Sequence, residues 1–328
     1  MVQRHCHLTV GAPMFISVSG IYSNLLKIEE WNVGIVQQPI ANFLTADIRS
    51  ETSWLPPARG GKYLADPFGL IRDGRMFILC EEFDYAHSMG RIVLYEENQD
   101  HTAWSNQVAI ELPTHMSYPY LLEYDGEVYC IPETAQAREI SLYKAQDFPR
   151  QWRKMATLIG DFPGLDSSVF KFDRRWWLTC SNLEDGPWEK LFIWYADHLT
   201  GPWQPHSANP VKVNAYSSRP AGTPFMHEGN LYRPAQNCSQ AYGKSIRINR
   251  IKNLTTTEFQ EEEVASIEPL KPYPHGVHTV SSVGGMSLLD GRRLRFIRSR
   301  SELNHNLASQ RRNLQRRVSG QRGTSIGA

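Results

Sequence analysis

The chain has 328 residues, with 35 Lys and Arg against 34 Asp and Glu, for a formal charge of +1. That length suits one large all-β or α/β-barrel domain, or two ordinary ones, with ample chain to bury a core. Charge this evenly balanced creates no global field toward nucleic acid or membrane, and the absence of any run of 18 apolar residues predicts no transmembrane helix.

The first thirty residues, including His5-Cys6-His7, lack a signal-peptide core with a cleavage site and are read as an N-terminal extension, not a metal site. From Trp31 onward the chain is rich in aromatics, Gly and Pro (9 Trp, 14 Tyr, 13 Phe, 23 Gly, 20 Pro). Its apolar stretches are short and cut by turn residues about every ten positions, a pattern of strands rather than helices. The strand "WNVGIVQQPI" precedes five similar units. They are "FGLIRDGRMFIL", "YLLEYDGEVYCI", "VFKFDRRWWLTC", "PFMHEGNLYRPA" and "MSLLDGRRLRFI". Each places an acidic-Gly or Asp-Arg dipeptide between two apolar runs, the strongest short hairpin signal. The predicted turns begin at Asp73, Asp125, Asp173, Glu228 and Asp290, so successive turns lie 52, 48, 55 and 62 residues apart.

Five hairpins at a blade-sized period predict an all-β, five-bladed β-propeller over residues 31–299. A β-sandwich is the alternative. "WNVGIVQQPI" is expected to add a strand to the last blade and close the ring. Cys80, Cys130 and Cys180 fall one per repeat inside strands, with no CxxC spacing. They read as small core residues of a reducing compartment, which places the chain in the cytoplasm. Residues 300–328 form a basic tail, read as solvated and partly disordered rather than as a nucleic-acid arm. "SELNHNLASQRRNLQRR" within it is the best helix candidate.

A short polar motif precedes each inner strand: "ADPF" at Asp66, "SYPY" at Tyr118, "LDSSVF" at Asp166, "SRPAG" at Arg219 and "GVHTVS" at His278. In a propeller these strand starts converge on the central channel, so the five residues should meet. The bland alternative for Asp66, just ahead of Pro67, is a turn-capping carboxylate.

These motifs, with "EEFDY", "GRIVLYE", "YRPAQNCSQAYG" and "HTVSS", resemble the propeller domain found N-terminal in plant glucosamine inositolphosphorylceramide transferases and bacterial relatives. That domain in turn is similar to five-bladed glycoside hydrolases of the arabinanase and β-xylosidase type, family forty-three. The resemblance implies that Asp66 is a general base, that Asp166 tunes the acid, and that His278 lies at the channel centre, where some relatives hold a water-coordinated cation. No other cofactor and no protein-held metal is expected. The same resemblance puts a general-acid Glu in the fourth blade, where this chain has Ser218 beside Arg219. Arg cannot serve as the acid, and Ser is a poor one.

Two other carboxylates are candidates to replace it. Glu133 follows the second hairpin, and Glu82, with its neighbour Glu81, follows the first. Return ends of hairpins are expected on the side away from the strand starts, which argues against both. Arg219 reads either as an ion pair with the nearby carboxylates or as a clamp for an anionic group. Arg233, Gln236 and Tyr242 make a polar-aromatic set suited to a sugar, with blade-edge packing as the alternative. Trp54, Trp176, Trp177, Trp188 and Trp203 read as sugar platforms or as core. The expected function is a carbohydrate- or glycoconjugate-binding propeller beside a glycosyltransferase or other sugar-modifying enzyme. The alternative is a glycoside hydrolase with a relocated acid.

Overall fold

The computed structural model describes residues 27–45 and 51–308. His5-Cys6-His7 and the tail beyond 308 lie outside them. Residues Glu29–Leu294 form one compact unit, and it is a five-bladed β-propeller. Each blade is a four-stranded antiparallel sheet at its core, running outward from the channel.

Blade 1 comprises Lys62–Arg72, Arg75–Asp84, Met89–Glu97 and Trp104–Ile110. Blade 2 follows with Ser117–Tyr124, Glu127–Glu133, Glu139–Asp147 and Gln151–Gly160. Blade 3 has Gly164–Phe172, Arg175–Asn182, Lys190–Ala196 and Gln204–Pro205, with Lys212–Val213 also on its third strand. Blade 4 has Phe225–His227, Asn230–Asn237, Ser245–Leu254 and Phe259–Ile267. Blade 5 joins both ends of the unit: Val280–Val283 and Met286–Phe296 pair with Lys27–Val36 and Thr52–Trp54. The strand around Trp31 therefore closes the ring, as its sequence implies. Closure of this kind satisfies the first and last strands against each other.

Four of the five turns sit where the sequence puts them. Asp73-Gly74, Asp125-Gly126, Asp173-Arg174 and Glu228-Gly229 have positive φ at both central residues, as tight hairpin turns that match strand twist require. The fifth expectation fails. The blade 5 turn is Gly284-Gly285, and Asp290-Gly291 lies inside the strand Met286–Phe296. An Asp is tolerated there because its carboxylate takes backbone N–H groups from three residues, described below.

Apolar side chains fill the spaces between blades. Phe68, Tyr120, Ile131, Leu142 and Leu178 belong to one such layer, and Val33, Leu64, Ile78, Val93 and Leu288 to another. Trp176 and Trp177 are core residues, 4% and 2% exposed. Cys80, Cys130, Cys180 and Cys238 are buried free thiols. A second compact unit includes Arg295 and the described residues that follow it. Within it residues 300–308 are helical, and Arg295 grips Glu302 through both terminal nitrogens at 3.0 and 2.8 Å. No helix among the described residues is long and apolar enough to cross a membrane.

Candidate functional site in the central channel

The inner strands of blades 1, 2 and 3 each break register once, at Ala65/Phe68, Ser117/Tyr120 and Leu165/Ser168. Each break contains a non-glycine residue in the left-handed region: Asp66 at φ 52°, Tyr118 at 42° and Asp166 at 51°. That conformation costs on the order of 1–2 kcal/mol per residue, and a bulge re-aims the side chain it carries. Three equivalent strained bulges at the channel end of three blades are a device for pointing side chains inward. Asp66 therefore sits in a bulge inside the strand Lys62–Arg72 and not in a turn.

Asp66 is 5% exposed. Its Oδ1 accepts the Thr279 hydroxyl at 2.6 Å, and its backbone N–H donates to Asp290 Oδ2 at 3.2 Å. Asp290 Oδ1 also accepts the N–H groups of His278 and Thr279, at 2.8 and 3.1 Å. His278 Nδ1 bonds to Asp290 and lies 3.8 Å from Asp66 Oδ1. Trp31 stacks on the imidazole with centroids 4.1 Å apart.

Across the channel, Arg219 meets Asp166 bidentately, Nε to Oδ2 at 2.6 Å and Nη2 to Oδ1 at 3.2 Å. Gln236 donates to the same Oδ2 at 2.6 Å. Glu133 Oε2 accepts the backbone N–H of Asp166 at 3.2 Å. Tyr242 lies under the Arg219 guanidinium at 5.1 Å and edge-on to His278 at 5.2 Å. Trp188, 44% exposed, stands 6.5 Å from Tyr242, and the Pro187 carbonyl beside it accepts from Arg219 at 3.3 Å.

The polar motifs thus converge, but not every predicted residue faces the opening. Tyr118 is fully buried. Its hydroxyl pairs with Ser168 Oγ at 2.8 Å and accepts the Gly222 N–H at 2.5 Å, so it latches blade 2 to the entry of blade 4 and has nothing to offer a ligand. Tyr118→Phe should cost about 1–3 kcal/mol, because it strands the Gly222 donor. Urea unfolding of wild type and variant measures this, and a cost near zero would remove the latch.

Arg233, only 1% exposed, binds Glu261 at 2.6 and 2.9 Å and the carbonyls of Ser217 and Ser218 at 2.7 and 3.0 Å. It props up the segment that carries Arg219 and is not a sugar contact. Ser218 is also fully buried, its hydroxyl accepting the Asn214 N–H at 3.1 Å. Glu82 is turned away, held by Lys62 at 2.9 Å and Arg91 at 2.8 Å.

The expected exclusion of hairpin return ends is also overturned. In an antiparallel hairpin the end of the return strand lies beside the start of the first strand. Glu133 accordingly pairs with Ser117, and Glu81 with Ala65. Strand alternation puts Glu81 and Glu82 on opposite faces of blade 1, and Glu81 is the one buried among the channel carboxylates. Asp290 and Thr279 are the members that sequence reasoning missed, and it named Glu81 beside Glu82 without choosing between them. Alternation would have separated Glu81 from Glu82 had the register been known. Asp290 was hidden by its resemblance to a turn.

Five carboxylates therefore share a buried volume with one guanidinium and one imidazole. Burial, working against His278, pushes the Asp66 carboxyl up to about 6. Burial first, then the neighbouring carboxylates, holds Glu81 well above the ordinary range. Glu133 is raised in the same way, by burial and then Asp166, with Arg219 opposing. His278 is raised despite its burial, because Asp290 and Asp66 favour the imidazolium. Such shifts concentrate where groups do chemistry.

Asp66, His278 and Asp290 bring potential metal-ligand atoms within 4.8 Å of one another. These atoms satisfy each other, since His278 is bonded to Asp290 and Thr279 to Asp66. A cation bound directly here would first have to break those bonds.

Comparison with known proteins places this geometry in context. A family model described as "Glucosamine inositolphosphorylceramide transferase 1, N-terminal" matches residues 22–271. The chain is 32% identical over 258 residues to glucosamine inositolphosphorylceramide transferase 1 of Oryza sativa subsp. japonica, covering 73% of this chain and 34% of the rice protein. The Arabidopsis thaliana protein of the same name is 30% identical over 232 residues, 69% of this chain and 30% of that protein. The chain thus spans about a third of the length of these relatives. Among solved structures, a family 117 glycoside hydrolase from Zobellia galactanivorans matches with TM-score 0.52 at 12% identity, over 83% of this chain and 90% of that one. An exo-β-1,3-galactanase from Phanerochaete chrysosporium with galactose matches with TM-score 0.51 at 12% identity, over 64% and 55%. At such identities the likeness is one of fold.

Proposed function

Because the chain belongs to the family of glucosamine inositolphosphorylceramide transferase N-terminal domains, we propose that its channel binds a sugar or glycoconjugate. The propeller then serves as an accessory to glycan or glycolipid synthesis, acting beside a glycosyltransferase. The observation that carries this reading is the chemistry of the mouth. Trp188, half in solvent, offers an aromatic face for a pyranose ring, next to Tyr242 and to a set of buried carboxylates that can bond its hydroxyls. The fourth-blade position that holds an acid in the resembling hydrolases carries Ser218 here, closed off from the channel. That favours binding over hydrolysis by the usual arrangement.

The test is a glycan and glycolipid array probed with wild type and Trp188→Ala, followed by calorimetry and product analysis on each hit. Trp188 is half in solvent, so its truncation should leave folding intact while weakening a hit by roughly 0.5–1.5 kcal/mol from lost stacking. Retention of no glycan, or equal affinity in both proteins, would sink this reading of the mouth. A second reading, hydrolysis with a relocated acid, is favoured by one specific observation: the buried carboxyl of Glu81, paired in the sheet with the residue before Asp66.

A further inference from the structure

We propose that Glu81 is the proton donor of the channel, acting opposite Asp66 on a glycosidic oxygen of the bound sugar. This rests on the reading that a sugar occupies the channel.

The placement of Glu81 carries the inference. It pairs with Ala65, the residue before Asp66, across the first two strands of blade 1, and is 5% exposed. Its electrostatic neighbours are Asp66, Glu133, Asp166 and Asp290, so it shares the volume in which the other channel carboxylates meet. Among the described residues no Lys or Arg pairs with it. Arg219 is engaged by Asp166, and His278 by Asp290. Glu133 differs, because its Oε2 is committed to the Asp166 N–H.

The contact to Glu81 is His115 Nε2, 3.6 Å from Oε1. His115 is neutral, its pKa lowered to about 4 by burial. Its Nδ1 accepts the Gly90 N–H at 2.9 Å, so the ring proton is on Nε2 and faces Oε1. Gly90 keeps the arrangement compact: a Cβ there would run into Glu81 Oε1 and would lie 2.6 Å from the Met116 carbonyl. Asp66 and Glu81 thus lie on paired strands of one blade among the same carboxylates, and glycoside cleavage requires two carboxyl groups in the separate roles of acid and base.

In the reaction the Glu81 proton passes to the leaving oxygen as its bond to the anomeric carbon breaks. A water oxygen bonds to that carbon and gives a proton to Asp66. Transfer of that proton through solvent back to Glu81 restores both groups. One water is consumed, and no other reactant is needed.

The experiment uses the full chain with aryl and alkyl glycosides of the sugars retained on the array. For each sugar, a 2,4-dinitrophenyl glycoside is compared with a methyl glycoside. The first leaving group departs without a proton, whereas the second needs one. Wild type should cleave both. Glu81→Gln should retain binding, lose about 10²–10⁴-fold on the methyl glycoside, and lose far less on the dinitrophenyl one. Glu81→Asp should partly restore the methyl glycoside rate, and Gly90→Ala should mimic Glu81→Gln. Equal loss on both leaving groups would assign Glu81 a structural role and overturn the proposal. So would wild-type binding without cleavage, which leaves the sugar-binding reading standing. If wild type neither binds nor cleaves any glycoside, both readings fail together.

Discussion

Arg219→Met is expected to lower folding stability by about 3–5 kcal/mol, the cost of leaving one member of a buried ion pair uncompensated. Asp166 is 2% exposed and Arg219 7%, and the two meet in a fork at 2.6 and 3.2 Å. Removing the guanidinium leaves Asp166 with Gln236 as its side-chain donor in a volume already crowded with acids. Asp166→Asn combined with Arg219→Met should recover much of the loss, because a neutral pair no longer strands a charge. Asn also tolerates the left-handed backbone that Asp166 adopts. Chemical denaturation of the two single variants and the double variant closes the cycle. If the double variant loses the sum of the single losses, the pair does not couple and Arg219 is free to serve a ligand. If it recovers, Arg219 is chiefly the counter-ion of Asp166, and the anion-clamp reading gives way to the ion-pair reading.

The second large effect concerns Asp66 and pH. Its folded-state pKa of about 6 stands above the ordinary 3.8. A carboxyl raised in this way contributes stability that is fully present below its unfolded pKa and is lost as pH rises through 6. Glu81 and Glu133, also raised, act in the same direction. Glu261, lowered because Arg233 and Lys212 outweigh its burial, acts oppositely and loses its contribution as pH falls below the ordinary carboxylate range. Asp66→Asn removes the ionised buried group and retains a residue suited to φ 52°. The variant should therefore be more stable than wild type at pH 8, by on the order of 2 kcal/mol, with the advantage gone by pH 4. It should also lose ligand binding. Thermal unfolding across pH 4–8, run beside the glycan assay, tests both. A variant less stable at every pH would return Asp66 to the role of a structural cap. A site residue whose neutralisation stabilises the fold while abolishing function is what a strained, charge-crowded site predicts.

Four of the five hairpin turns and the blade period were legible because the code for a tight turn is local. Left-handed φ at two adjacent positions selects Asp-Gly and Glu-Gly in any context. The strand at Trp31 was legible as the closing strand because an unpaired inner edge needs a partner. The ring of Asp66, Tyr118, Asp166, Arg219 and His278 followed from the repeat itself, since equivalent positions of a rotationally repeated unit must converge. What each of these residues does was not legible, because it depends on contacts between blades. Tyr118 and Asp166 occupy equivalent bulges, yet one is spent on Gly222 and the other holds Arg219. Arg233 and Gln236 are three residues apart on one strand, but one serves the backbone at Ser217 and Ser218 and the other the channel. Asp290 looks like its four turn counterparts until the Gly284-Gly285 turn, earlier in the same hairpin, fixes the register. Glu81 and Glu82 are adjacent in sequence, and only the pairing of Ala65 with Glu81 decides which one the channel receives. The sequence by itself determined the repeat, the fold and the ring, because turn chemistry and period are local. The tertiary structure alone decided which members of that ring stay free to act, because pairing, burial and charge compensation are settled between residues up to 224 positions apart.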